Sequence, residues 1–283
     1  MTLEKKPRRT VTIALNDNAC LQATEAGTGE PILFISGLSG AGAFWTELIN
    51  RLPSDFRSIV FDQRGIGESS RGTADVTIAQ LARDCVAVLD ELDVTRAHVV
   101  GHSTGGCIAM ALALAEPARV QSITLSGTWV GPNAYMNALF GLRLDLLKTN
   151  PSLYEAMGPF FTYDPSWLDA HPTLLSPSPS LWAPERVRVV RERIEALLAF
   201  DCRAEIQAIA ADHPGSAACL ILGAADDLIV PSFLQDELQE LLPNAQRNCL
   251  ARGGHFYPIT RSAEIAAVLV PWLRSSPRWM TRP

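Results

Sequence analysis

Basic charge is scarce in this chain: 24 Lys+Arg stand against 30 Asp+Glu, leaving a formal net charge of −6. A protein that grips nucleic acid usually carries a basic field, so a polyanion is not an expected partner. Long apolar runs are missing as well. None reaches the roughly 18 residues that cross a bilayer, and no membrane association is expected. Residues 1–10 (MTLEKKPRRT) are basic but have no apolar stretch of signal-peptide type, which predicts a frayed start on a cytoplasmic protein. The six cysteines (Cys20, Cys85, Cys107, Cys202, Cys219 and Cys249) form no CxxC pair, and none has a histidine at zinc-finger spacing. Cys85 and Cys107 fall on apolar helical faces and Cys219 opens an apolar strand, as buried reduced thiols do. No metal site and no cofactor are indicated. Internal repeats and coiled-coil heptads are absent too, and a monomer or homodimer is expected.

What is present is a large apolar fraction, 47% of 283 residues, ample for a sizeable core and too much for disorder. Strand-like and helix-like runs alternate. Thr10–Leu15 and Cys20–Ala26 predict a hairpin across Asn16-Asp17-Asn18. Pro31–Ser36, Arg57–Asp62, Ala97–Gly101, Val120–Ser126 and Ala218–Gly223 are short, continuously apolar strands of a sheet covered on both faces. Ile78, Leu81, Cys85, Leu89 and Leu92 form one helical stripe; Ile265, Val268, Leu269, Trp272 and Leu273 form another, in which Pro271 should kink or shorten the helix. The order predicts an α/β fold with a mostly parallel, doubly wound sheet. The alternation stops over 131–211, where helices (Asn137–Lys148, Glu185–Phe200) meet the proline-rich joint His171–Pro184. Three segments follow: a first core part over 1–130, a helical cap over 131–211 inserted after the sixth strand, and a second core part over 212–283. The cap is expected over the carboxyl ends of the strands.

Gly101-His102-Ser103-Thr104-Gly105-Gly106 joins the strand Ala97–Gly101 to an Ala-rich helix, Gly105–Ala115. In that context the glycines allow a sharp turn that holds Ser103 strained and exposed at the strand end, at the positive end of a helix. A serine hydroxyl needs a base. Of five histidines, His98 lies in a strand, His102 adjoins the serine with its side chain expected on the other side of the turn, His171 falls in the prolyl joint, and His213 precedes a strand. His255, in Gly253-Gly254-His255 after the strand Gln246–Leu250, sits at the sheet edge expected for Ser103 and is the candidate base. Asp226 and Asp227 follow the strand Ala218–Gly223, and Asp227 is the preferred acid, leaving Asp226 a solvated turn residue. An oxyanion needs two N–H donors, sought at Thr104 and at Leu38 in the loop Ser36-Gly37-Leu38-Ser39-Gly40. Asp62-Gln63-Arg64-Gly65-Ile66-Gly67-Glu68-Ser69 lacks the spacing of a phosphate or dinucleotide loop and predicts a turn with local bonds from Asp62 and Arg64. Trp45, Trp129, Phe161, Trp167 and Phe256 are the aromatics expected to bind substrate, with Phe160 and Tyr163 also considered.

Taken together, SGLSG with Trp45 downstream, DQRGIGES, GHSTGG, GAADDLIVP and GGH resemble the α/β-hydrolase superfamily over the whole chain. FISGLSGAGAFW, FDQRGIGES, PFFTYDPSWL, DDLIVP and GGH are similar to the aminoacrylate (carbamate) hydrolases of the Rut pyrimidine-degradation pathway. That resemblance implies a small polar substrate, an enamine acid or carbamate, with water as acceptor. From the residues alone three alternatives stay open: a carboxylesterase or enol-lactone hydrolase, a cofactor-free haloperoxidase or perhydrolase, and a non-catalytic ligand receptor.

Overall fold

A computed structural model describes residues 8–176, 182–212 and 218–276. His213, Pro177, Pro179 and the first seven residues of the expected frayed start lie outside them. The strands are β1 (Arg8–Ala14), β2 (Cys20–Ala26), β3 (Glu30–Ile35), β4 (Phe56–Asp62), β5 (Ala97–His102), β6 (Val120–Ser126), β7 (Cys219–Ala224) and β8 (Gln246–Leu250). They form one sheet in the order β1-β2-β4-β3-β5-β6-β7-β8. The hairpin β1–β2 and the β2–β4 pair are antiparallel, and the five pairs from β4–β3 to β7–β8 are parallel.

The helices are α1 (Thr46–Ile49), α2 (Ile78–Glu91), α3 (Thr104–Ala115), α4 (Ala134–Thr149), α5 (Pro151–Thr162), α6 (Pro165–Ala170), α7 (Pro184–Ala199), α8 (Arg203–Asp212), α9 (Ser232–Leu241), α10 (Tyr257–Thr260) and α11 (Ser262–Ser275). Side chains of a strand alternate between its faces, and β3 shows it. Leu33 and Ile35 join a core with α2, α3 and α9, while Ile32 and Phe34 join a second core with α1 and α11. Both faces are therefore dry, which explains the unbroken apolar runs of the central strands.

Several local expectations need adjustment. α11 runs through Pro271 to Ser275, so the proline does not shorten it. Cys85, Cys107, Cys202 and Cys219 are buried, whereas Cys20 is half-buried and Cys249 is exposed on the edge strand β8. Burial pushes the Cys107 thiol up to about 12. Between β6 and β7 the chain forms α4 to α8, and a 3-10 turn over Pro172–Leu175 occupies part of the prolyl joint. No described helix is long and apolar enough to cross a membrane.

Candidate active site

Ser103 sits between β5 and α3 with φ 56° and ψ −127°, one of three non-glycine residues at positive φ among those described. The turn is held by Ser103 N–H donating to Ser126 O at 2.8 Å and Gly106 N–H donating to Ser103 O at 2.8 Å. Two glycines leave no room for anything larger. A Cβ on Gly101 would lie 2.2 Å from Gly105 O, and one on Gly105 would lie 2.1 Å from Ile35 O. Close packing of α3 on β3 and β5 thus forces the strained geometry, and the serine, expected to be exposed, is instead buried at the wall of a cavity. No hydrogen bond among the described residues engages the Ser103 hydroxyl, which lines a cavity together with His255, Gly37 and Leu38. Thr104 opens α3, where a backbone N–H has no intrahelical acceptor. The Leu38 N–H is likewise uncommitted among the described residues.

His255 is buried, and its Nδ1 lies 2.8 Å from Asp227 Oδ2. The other Asp227 oxygen accepts the Ile229 and Val230 N–H groups, each at 2.8 Å. A buried carboxylate with three partners is anchored, and it dictates that the His255 ring proton sits on Nδ1. Asp226 is more than a solvated turn residue. Its oxygens accept the N–H groups of Gly253 at 3.1 Å and Gly254 at 3.0 Å, tying down the loop that carries His255. His98 is occupied elsewhere, 2.7 Å from Ser122 Oγ, and His171 is exposed and stacked on Trp167.

The expectation that His102 turns away from the site is corrected. Its ring centroid is 4.7 Å from that of His255, stacked against Phe44, and it lines the same cavity. Its protonation follows from its neighbours. Tyr257 OH donates to Leu222 O at 3.0 Å, so the 2.6 Å contact with Ser126 must be a bond donated by the serine. Ser126 Oγ then accepts from His102 Nδ1–H at 3.0 Å, leaving Nε2 as a buried lone pair without a partner. Burial, reinforced by nearby His255, holds the His102 pKa well below the usual imidazole value. The ring is neutral.

The cavity has a volume of about 780 Å³ and is lined mainly by apolar groups, with Phe140, Tyr154, Tyr163 and Val189 contributed from α4, α5 and α7 and the residue after α5. Of the five aromatics expected there, only Phe256 lines it. Trp45 and Trp129 are fully buried in the two cores. Phe161 packs on the outside of the first core, and Trp167 stacks at 4.2 Å on His171. Phe160 is exposed. Large flat side chains near strand ends serve packing as readily as binding, and no local pattern separates the two.

The DQRGIGES turn is structural, but its bonds reach further than expected. Asp62 caps the neighbouring loop by accepting Gly42 N–H at 2.8 Å. Arg64 is fully buried and forks onto both Asp84 oxygens at 2.7 and 2.6 Å, with a third bond to Asp17 at 2.7 Å. Gln63 donates to Ser36 O at 2.8 Å. It accepts in turn from Arg193, which is buried although an arginine is charged. Helical spacing carries the signal, since Arg193 lies four residues after Val189 and four before Leu197, both buried.

A family model described as the alpha/beta hydrolase fold matches residues 30–262. The chain belongs to that family. It is also similar to two proteins named "Putative carbamate hydrolase RutD". The one from Caulobacter sp. (strain K31) is 33% identical over 260 residues, covering 88% of this chain and 92% of that protein. The one from Variovorax paradoxus (strain S110) is 36% identical over 251 residues, covering 87% and 92%. Among solved structures, the enol-lactonase from Burkholderia xenovorans LB400 superposes with a TM-score of 0.81 at 22% identity, over 94% of this chain and 100% of that one. That likeness is one of fold. In this α/β hydrolase Ser103, Asp227 and His255 lie just beyond the carboxyl ends of β5, β7 and β8.

Proposed function

We propose that this α/β hydrolase is a serine hydrolase acting on a small carbamate, ester or lactone, with the helices α4 to α8 as a cap over the substrate. The Ser103 hydroxyl attacks the substrate carbonyl while His255 Nε2 takes its proton. Asp227 holds the ring and stabilises the imidazolium. The Leu38 and Thr104 N–H groups receive the oxyanion. His255 passes its proton to the leaving group, water then attacks the acyl-enzyme with His255 as base, and the acid and free Ser103 are released. The observation that carries this reading is His255, anchored by Asp227, lining the same cavity as a serine held at φ 56°.

Similarity to the carbamate hydrolases over most of the chain supports a carbamate as substrate. The cavity favours a second reading within the same mechanism. About 780 Å³ of largely apolar space is in the range that encloses drug-sized ligands, far beyond a carbamate of a few heavy atoms. An ester or enol lactone with a sizeable acyl group fills it better. A fluorophosphonate should label wild type at Ser103 and leave Ser103→Ala unlabelled. Turnover across matched carbamates, short and long esters and lactones then ranks the substrates. Wild-type protein that is neither labelled nor active on the panel would refute the serine mechanism.

A further inference from the structure

Arg193 is a cation buried without a counter-ion. It is 1% exposed, and no carboxylate among the described residues lies within ion-pair distance of it. Burial pushes its pKa down to about 10, partly offset by the more distant Asp84, so it remains charged at neutral pH. All its hydrogen bonds go to neutral oxygens. Nε donates to Leu38 O at 2.8 Å, and Nη2 donates to Gly37 O at 3.2 Å and to Gln63 Oε1. Nη1 is buried with no partner. Burying an unpaired charge is costly, and an apolar side chain in its place would generally serve the fold as well or better. The location explains its use.

Gly37 O and Leu38 N–H belong to one planar trans peptide and point in opposite directions. The carbonyl is taken twice, by Arg193 from α7 and by Gly40 N–H at 2.9 Å. With that edge pinned away from the cavity, the N–H edge must face the cavity that Ser103 and Leu38 line. A cation on the carbonyl also polarises the peptide and makes its N–H a stronger donor. Gln63 completes the brace, since it bonds Ser36 O while accepting from Arg193.

Building on the serine-hydrolase reading, we propose that Arg193 is a positioning residue: from the cap it locks and polarises the Gly37–Leu38 peptide so that the Leu38 N–H is preset for the oxyanion. The cap would thereby complete the catalytic loop as well as enclose the substrate. Arg193→Met should lower kcat roughly 10- to 100-fold, less than deleting a whole oxyanion donor. Affinity for a trifluoromethyl ketone, which forms an oxyanion on Ser103, should fall by a similar factor, with KM and Tm little changed. Arg193→Lys, which keeps the charge but not the fork, should recover part of the loss. In 15N-labelled protein the Leu38 amide resonance should shift in Arg193→Met, a readout that needs no turnover. Values of kcat and ketone affinity within about twofold of wild type would overturn the proposal, as would a lower Tm with unchanged kcat per folded molecule. If Arg193→Met does not fold, Arg193→Lys carries the same test. Absent wild-type labelling would instead count against Ser103 as nucleophile, and the amide shift would still judge Arg193.

Discussion

Replacing Asp227 by Asn changes one atom and should reverse a proton. Asp227 Oδ1 accepts two backbone N–H groups, from Ile229 and Val230, each at 2.8 Å, and Oδ2 faces His255 Nδ1 at 2.8 Å. An Asn amide has one oxygen and one NH2. If the NH2 took the Oδ1 position, two buried N–H donors would lose their acceptor, at about 1–3 kcal/mol each. The oxygen therefore stays with the backbone, and the NH2 meets His255. Nδ1 must then offer a lone pair, which moves the ring proton to Nε2, the nitrogen that the proposed mechanism requires to receive the Ser103 proton. The expected loss in kcat/KM is about 10⁴-fold, or about 5.4 kcal/mol, as for a triad histidine held in the wrong tautomer. Folding should be little affected, because every backbone donor keeps an acceptor. Steady-state ester hydrolysis together with a thermal melt reads both quantities. Activity within tenfold of wild type would refute the tautomer argument and Asp227 as the orienting acid.

Four further substitutions probe the same reasoning. Ser103→Gly should abolish ester turnover yet raise stability by roughly 1–2 kcal/mol, since glycine relieves the strain at φ 56° and Ser103→Ala does not; equal stabilities by denaturant titration would contradict the strain. His102 titrates at lower pH in the fold than unfolded, so the unfolded chain binds the extra proton, and stability is full above about pH 6.5 and falls on acidification. His102→Phe, which keeps the ring against Phe44, should flatten the slope between pH 7 and 5 by up to about 1.4 kcal/mol per pH unit, and an unchanged slope in denaturant titrations would exclude His102 as its source. Trp45→Ala should cost about 3–5 kcal/mol of stability with little change in KM, whereas Phe256→Ala should act on KM; the opposite pattern would place Trp45 in the site.

The amino-acid order alone determined the eight strands to within a residue or two and the helical character of the segment between β6 and β7. For the central strands and the helices it did so because a strand dry on both faces must be apolar throughout, and a helix dry on one side must be apolar every three to four residues. It likewise singled out Ser103, since only glycines on either side permit β5 to turn so closely into α3. Contacts between distant segments decided the rest. The sequence favoured Asp227 over Asp226 without separating their roles, which rest in the fold on which carboxylate reaches Nδ1 and which holds Gly253 and Gly254. His102 turns toward His255 with its Nδ1 proton accepted by Ser126, whose own hydroxyl donates to Tyr257, both on other elements. Trp45 and Trp129 went to the cores and Tyr154 to the cavity, although an aromatic ring has the same local signature in both settings. Arg193, polar by type, is buried because the oxygens it satisfies belong to residues 130 to 156 positions earlier. Periodicity records which side of an element is dry; it does not record which atoms of another element wait there.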